Sequence, residues 1–278
     1  MSDLSPVAVD DDDEKLEEDL RRARDTCLER YGQLVNHTVP LLKQVLIHVN
    51  QLPTVADGTL ADMWFAAVGR TISIDTSADR AWTDAGAKFL PHGAIQKKMI
   101  VSRMRGSELA QGTGSGQRHE TTARVDAGAT PADLWVTEMQ NGCTVLILDW
   151  GQSLYSMVHL QPSEDEQFNW LGKKVMGLGG YTKWVTGDAF FKSAYKNAWL
   201  KQEASKVVAA TGRTPQNYIM VQSMYEASRS KVTQVVGVKK GNTFAFYRQR
   251  SYAQTLEVDV LKWSGWWSYL PALASRSY

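Results

Sequence analysis

Thr137-Glu138-Met139-Gln140-Asn141-Gly142-Cys143-Thr144-Val145-Leu146-Ile147-Leu148 is followed by Asp149-Trp150-Gly151-Gln152 and then by Ser153-Leu154-Tyr155-Ser156-Met157-Val158-His159-Leu160. Val145 to Leu148 is apolar and rich in β-branched residues, as is much of Leu154 to Leu160. The residues between them have turn chemistry, so the stretch reads as a β-hairpin. A three-residue loop of Trp150, Gly151 and Gln152 pairs Asp149 with Ser153 and sets Cys143 opposite His159. Directly opposed Cβ atoms lie roughly 4.5–5.5 Å apart. Alternation then places Cys143 and His159 on one face with Val145, Ile147, Tyr155 and Met157. A loop one residue shorter sets Cys143 opposite Val158 instead.

A second hairpin lies downstream. Val232, Val235, Val236 and Val238 lead into Lys239-Lys240-Gly241-Asn242, and Thr243 to Tyr247 follows. The Gly-Asn pair is a tight-turn signal. Thr71 to Asp75, Tyr218 to Met224 and Leu256 to Leu261 also read as strands. Between Glu14 and Asn36, Leu16, Leu20, Ala23, Cys27, Tyr31 and Leu34 recur at helical spacing. Cys27 sits on that stripe and reads as a small buried hydrophobe. Leu41 to Gln51 predicts a second helix stopped by Pro53, and Asp57 to Gly69 a third, capped by Asp57. Asp188 to Ala210 predicts a fourth, ended by Gly212. Lys97 to Met104 fits strand or helix.

These elements predict an α+β fold: an antiparallel or mixed β-sheet core, sandwich-like, with packed helices and a helical N-terminal appendage. The expected division is a disordered acidic tail over 1–13, a helical segment over 14–55 and a catalytic domain over 56–278.

Composition narrows the function classes. The 278 residues are 43% hydrophobic, enough for a sizeable core. No apolar run approaches the ~20 residues of a membrane span. Cys27 and Cys143 are the two cysteines, which is not a disulfide framework. Residues 1–20 carry nine acids against one base, a net −8, so +9 falls on the remainder of a chain whose total is +1. The body is not basic enough for a nucleic-acid binder. Gly112-Thr113-Gly114-Ser115-Gly116 lacks the Lys-Ser/Thr ending of a phosphate loop and reads as a linker. The aromatic stretch from Trp263 to Leu270 reads as a core plug, with a partner-binding patch as the alternative.

A thiol beside an imidazole is the minimal apparatus for nucleophilic attack on an acyl group. Sixteen residues separate Cys143 from His159, far fewer than in papain-like proteases. Zinc is disfavoured because no further Cys or His falls near Cys143. No cofactor is expected. His37 and His48 read as structural, and His92 and His119 as weaker competitors for the base.

Asn141-Gly142-Cys143-Thr144-Val145 and Met157-Val158-His159-Leu160, with Thr137 six residues before the cysteine, resemble the glutamine deamidases of the cytotoxic necrotizing factor and CheD kind, with Burkholderia lethal factor beside them. The likeness is strong over about 25 residues, and Asn141 stands where the family has serine. It implies Cys143 as nucleophile, His159 as base and Thr137 as the group orienting the ring. The backbone N–H groups around Gly142 and Cys143 would meet the oxyanion. It further implies a protein substrate, such as a host GTPase or other switch protein, deamidated or transglutaminated at a glutamine. The chain would be a bacterial toxin or effector, secreted by a non-classical route into a host cytosol, with a secretion chaperone docking at its N-terminus; otherwise it would be cytoplasmic. Another cysteine hydrolase, a peptidase or amidase, and a non-catalytic protein-binding module are the competing readings.

Overall fold

Helix α1 covers Asp11–Asn36 and begins inside the acidic run. Carboxylates at a helix N-terminus are favoured by the unpaired N–H groups there, so helix replaces the disorder expected for residues 11–13. Only the C-terminal half of its apolar stripe is buried: Cys27, Tyr31 and Leu34 are covered, while Leu16 is 52% exposed. The computed structural model describes residues 11–87, 92–105, 124–140, 144–160, 213–222, 231–252 and 255–265. The helix expected over Asp188 to Ala210, the Gly-rich run at 112–116 and Cys143 itself lie outside those residues.

Two of the expected helices are strands. The segment Leu41 to Gln51 holds the end of a short helix α2, Thr38–Leu42, and then strand β1, Leu46–Val49. Asp57 to Gly69 holds β2, Thr59–Val68. Asp57 caps no helix; its Oδ1 accepts from the Arg103 N–H at 3.1 Å. Gly69 adopts φ 56° in a two-residue turn that leads to β3, Thr71–Asp75. Helix α3, Ala78–Asp84, is capped by the Ser77 hydroxyl. Lys97 to Met104 resolves as strand: β4 is Ile95–Ser102, and β5, Met104–Arg105, follows.

The remaining strands are β6 (Val125–Asp126), β7 (Leu134–Thr137), β8 (Thr144–Gly151), β9 (Leu154–Leu160), β10 (Asn217–Gln222), β11 (Lys231–Lys240), β12 (Thr243–Tyr252), β13 (Thr255–Val260) and β14 (Ser264–Gly265). The described strands form two mixed sheets. Sheet A has the order β1-β3-β2-β4-β7-β11-β12-β13 and sheet B the order β14-β10-β8-β9-β5, with β6 beside β9. The expected α+β class and sandwich-like core are observed.

Sheet A is covered twice. Met99, Val101, Leu134, Val136, Val236 and Val238 pack with Cys27, Tyr31 and Leu34 of α1. The intervening residues Ile100, Trp135, Val235, Phe244 and Phe246 pack with Val145, Ile147, Tyr155 and Met157 of sheet B. Gly237 sits in this second layer, where an added Cβ would come within 2.7 Å of the Phe246 ring and 3.1 Å of the Trp135 Cβ. Trp263 stacks on Tyr155 at 5.8 Å and so plugs the same core.

Sheet A also curls, so that β1 reaches β11 and β12. Gln249 of β12 holds it there: its Oε1 accepts from the Ile47 N–H at 2.9 Å, and its Nε2 donates to the Leu42 and Val45 carbonyls at 2.6 and 2.8 Å. Replacing Gln249 by leucine strands three buried backbone groups at once. Gln249→Leu is expected to lower unfolding free energy by roughly 2–4 kcal/mol in urea titration, and an unchanged midpoint would show that the curl does not depend on this amide.

Candidate active site

The β8–β9 hairpin forms with a different turn from the one expected. Gln152 and Ser153 make a two-residue loop, both at positive φ (53° and 64°), and Gly151 pairs with Leu154. A bulge between Asp149 and Gly151 absorbs one residue, so Asp149 faces Tyr155. The register is thereby displaced by two positions from the predicted one. Val145, not Cys143, lies opposite His159. A displacement of two preserves the alternation, and His159 does share a face with Val145, Ile147, Tyr155 and Met157.

His159 occupies the end of β9 between Val145 of β8 and Met104 of β5. Thr137 ends β7 in the other sheet, next to Ser102 of β4. Sheets packed face to face lie about 10 Å apart, so the two side chains meet midway. His159 Nδ1 and Thr137 Oγ1 are 2.7 Å apart, and both residues are buried. The Thr137 carbonyl accepts from Gln234 Nε2 at 2.6 Å, which fixes the end of β7. Ser102 Oγ donates to the Met157 carbonyl at 2.8 Å and accepts from Trp135 Nε1 at 2.9 Å, tying β9 to sheet A two residues before His159.

The imidazole is held at one nitrogen. Nδ1 has Thr137, whereas Nε2 is buried with no hydrogen-bond partner. A hydroxyl both donates and accepts; with Nδ1–H donating to Thr137, Nε2 carries a lone pair. Burial pushes the His159 pKa down to about 3, so the ring is neutral through the physiological range. Nε2 keeps a lone pair that can accept a proton, and because burial disfavours the imidazolium the ring acts as a base only where an anion such as a thiolate forms beside it.

Thr137 and His159 are therefore brought together. Gly142 and Cys143 lie outside the described residues, two positions and one position before β8. Gln140 precedes them; its backbone pairs with Thr233, and its side chain is buried. Neither Ser102 nor Gln140 was singled out from the sequence, which carries no mark of an internal hydrogen bond or of its absence. The other histidines stand apart. His48 is on β1 rather than in a helix, with Nδ1 3.1 Å from Met139 Sδ. His92 faces Asp79 at 3.5 Å; His119 lies outside the described residues. Cys27 is fully buried; its sulfur accepts from the Ala67 N–H at 3.3 Å, and burial raises its thiol pKa. Among the described residues no group of three His, Cys, Asp or Glu side chains gathers to hold a metal ion, and no helix is long and apolar enough to cross a membrane.

No protein-family model matches the chain, and no curated protein matches it. Among solved structures, it is similar to the C-terminal domain of CNFy from Yersinia pseudotuberculosis at 9% identity and a TM-score of 0.36, over 87% of this chain and 99% of that one. At that level the likeness decides neither fold nor chemistry.

The depressed pKa has a consequence for stability. The unfolded chain binds a proton at His159 near the ordinary value of 6.5, whereas the folded chain refuses it until about pH 3. Stability from this group is complete above pH 6.5 and is lost as pH falls from there towards 3. Between pH 6.5 and 5.0, His159→Asn is expected to lose about 2 kcal/mol less stability than the parent chain. Parallel losses in urea titrations at the two pH values would show that His159 is protonated as readily folded as unfolded.

Proposed function

We propose that the chain is a protein-glutamine deamidase with Cys143 as nucleophile, His159 as general base and Thr137 as the residue that orients the ring. The observation that carries this reading is the 2.7 Å Thr137–His159 contact with Nε2 left free. The thiol and the glutamine substrate enter through the resemblance of the segment from Thr137 to His159 to the deamidase motif. Cys143 is bonded to Thr144, whose sheet partner is Leu160.

The reaction balances without a cofactor. His159 Nε2 takes the Cys143 proton, and the thiolate adds to the carboxamide carbon of a glutamine side chain. The C–N bond then breaks, and ammonia leaves with the proton that His159 returns. Water, deprotonated by the same nitrogen, cleaves the thioester to glutamate; an amine in its place gives transglutamination. Backbone N–H groups at Gly142 and Cys143 would hold the oxyanion. The target gains one negative charge, enough to disable a switch protein such as a host GTPase. This is the action of a bacterial toxin or effector delivered to a host cytosol, and the N-terminal segment is the proposed chaperone or export signal.

Two experiments decide between this reading and its rivals. Cys27 is buried with a raised pKa, so alkylation of the folded chain reports Cys143 alone. Iodoacetamide at pH 6.5 should modify Cys143 well below the approximate free-thiol pKa of 8.5; labelling no faster than free cysteine leaves a binding module. In host lysate, mass spectrometry should find a glutamine converted to glutamate. Cys143→Ser and His159→Ala should abolish the conversion, and Thr137→Val should slow it at least about tenfold. Backbone cleavage in its place identifies a peptidase.

A further inference from the structure

Three residues before Cys143 stands a buried carboxamide with nothing to bind. Gln140 is fully buried, and neither its Oε1 nor its Nε2 has a hydrogen-bond partner. A primary amide offers two donors and an oxygen with two lone pairs, and burying them unmet opposes folding. Gln249 shows what a structural buried glutamine does in this chain: both of its amide atoms are engaged.

The position of Gln140 is fixed by its backbone. Its N–H donates to the Thr233 carbonyl at 2.7 Å, and its carbonyl accepts from the Thr233 N–H at 3.2 Å. Residues opposed across an antiparallel bridge share a face. Thr233 and Val235 are two apart on β11, whose register with β12 is uninterrupted, and Val235 belongs to the layer between the sheets. Gln140 therefore projects into that layer, as Thr137 and His159 do.

Resting on the deamidase reading above, we infer that Gln140 reads the carboxamide of the substrate: Nε2 donates to its carbonyl oxygen, and Oε1 accepts from its amide N–H. One ligand group then satisfies both orphaned atoms. As the Cys143 sulfur adds to the carbonyl carbon, the oxygen becomes an oxyanion and the Nε2 hydrogen bond strengthens. An ester has no N–H for Oε1, so Gln140 selects primary carboxamides over esters and over fully substituted amides.

The probes are 2-chloroacetamide and its N,N-dimethyl derivative, reacted with the full chain. Rates at Cys143 are normalised to those of free cysteine. The parent chain should prefer the primary amide at least about tenfold. Gln140→Leu should bring that preference near parity, by slowing the primary amide, which loses both hydrogen bonds, more than the dimethyl reagent, which loses one. Its Tm should rise, because a buried unpaired amide has been removed; a purely structural glutamine would give a fall. Gln140→Met, closer in shape, provides the same comparison should leucine not fit. A preference that survives both substitutions overturns the inference and leaves the deamidase reading standing. A parent Cys143 no more reactive than free cysteine towards either probe overturns the deamidase reading, and the role of Gln140 with it.

Discussion

Double burial of the eight-stranded sheet forces the side chains on its central strands into one of two cores. Successive residues of β7 show the division: Leu134 and Val136 face the helices, whereas Trp135 and Thr137 face the second sheet. Polar groups buried between the sheets are stabilised by partners inside the protein. Ser102 does so twice, and Thr137 does so with both its hydroxyl and its carbonyl. The bonds from Ser102 to the Met157 carbonyl and from Thr137 to the His159 ring also position the end of β9. The site is thus a product of the packing: the same contacts that dock one sheet on the other present the His159 ring with one nitrogen free.

Much of this was legible because hairpins are local. The Gly241-Asn242 turn gives Lys240 opposite Thr243 with no irregularity, as the sequence implies. The β8–β9 hairpin was legible as a hairpin and in the face it shows, but not in its register. Gln152 and Ser153 are ordinary residues in a turn that demands positive φ at both positions, so nothing in their chemistry advertised a two-residue loop. The strand β2 failed for a different reason. Phe65, Ala66 and Ala67 are buried in succession, so it lacks the alternation that marks a half-exposed strand, and its Leu, Met and Ala residues favour helix. In β1, four residues are too few to show any period, and the parallel partner β3 arrives twenty-five residues later.

The candidate site was legible in part. His159 follows from the hairpin pattern and Thr137 from the resemblance to the deamidase motif, and they touch across the two sheets. What spacing could not supply is the state of each polar atom once buried. Gln140 and Gln249 are the same residue type, both on buried backbone, and nothing in their sequence neighbours separates them. Only the packed structure shows one amide fully engaged and the other wholly free.

That difference bears on how such a site persists. A buried donor or acceptor left unmet costs on the order of 1–3 kcal/mol, a sizeable fraction of the roughly 5–15 kcal/mol that holds a domain together. The His159 Nε2 and the Gln140 amide incur this cost in one layer, at the end where the apolar cluster of Val145, Ile147, Tyr155 and Met157 gives out. The two covered faces of sheet A supply the surplus that tolerates it. Paired groups would make that end more stable and chemically inert. Leaving an imidazole nitrogen and a carboxamide unmet, on strands between the two sheets, keeps their hydrogen-bonding capacity for a ligand that brings its own polar group.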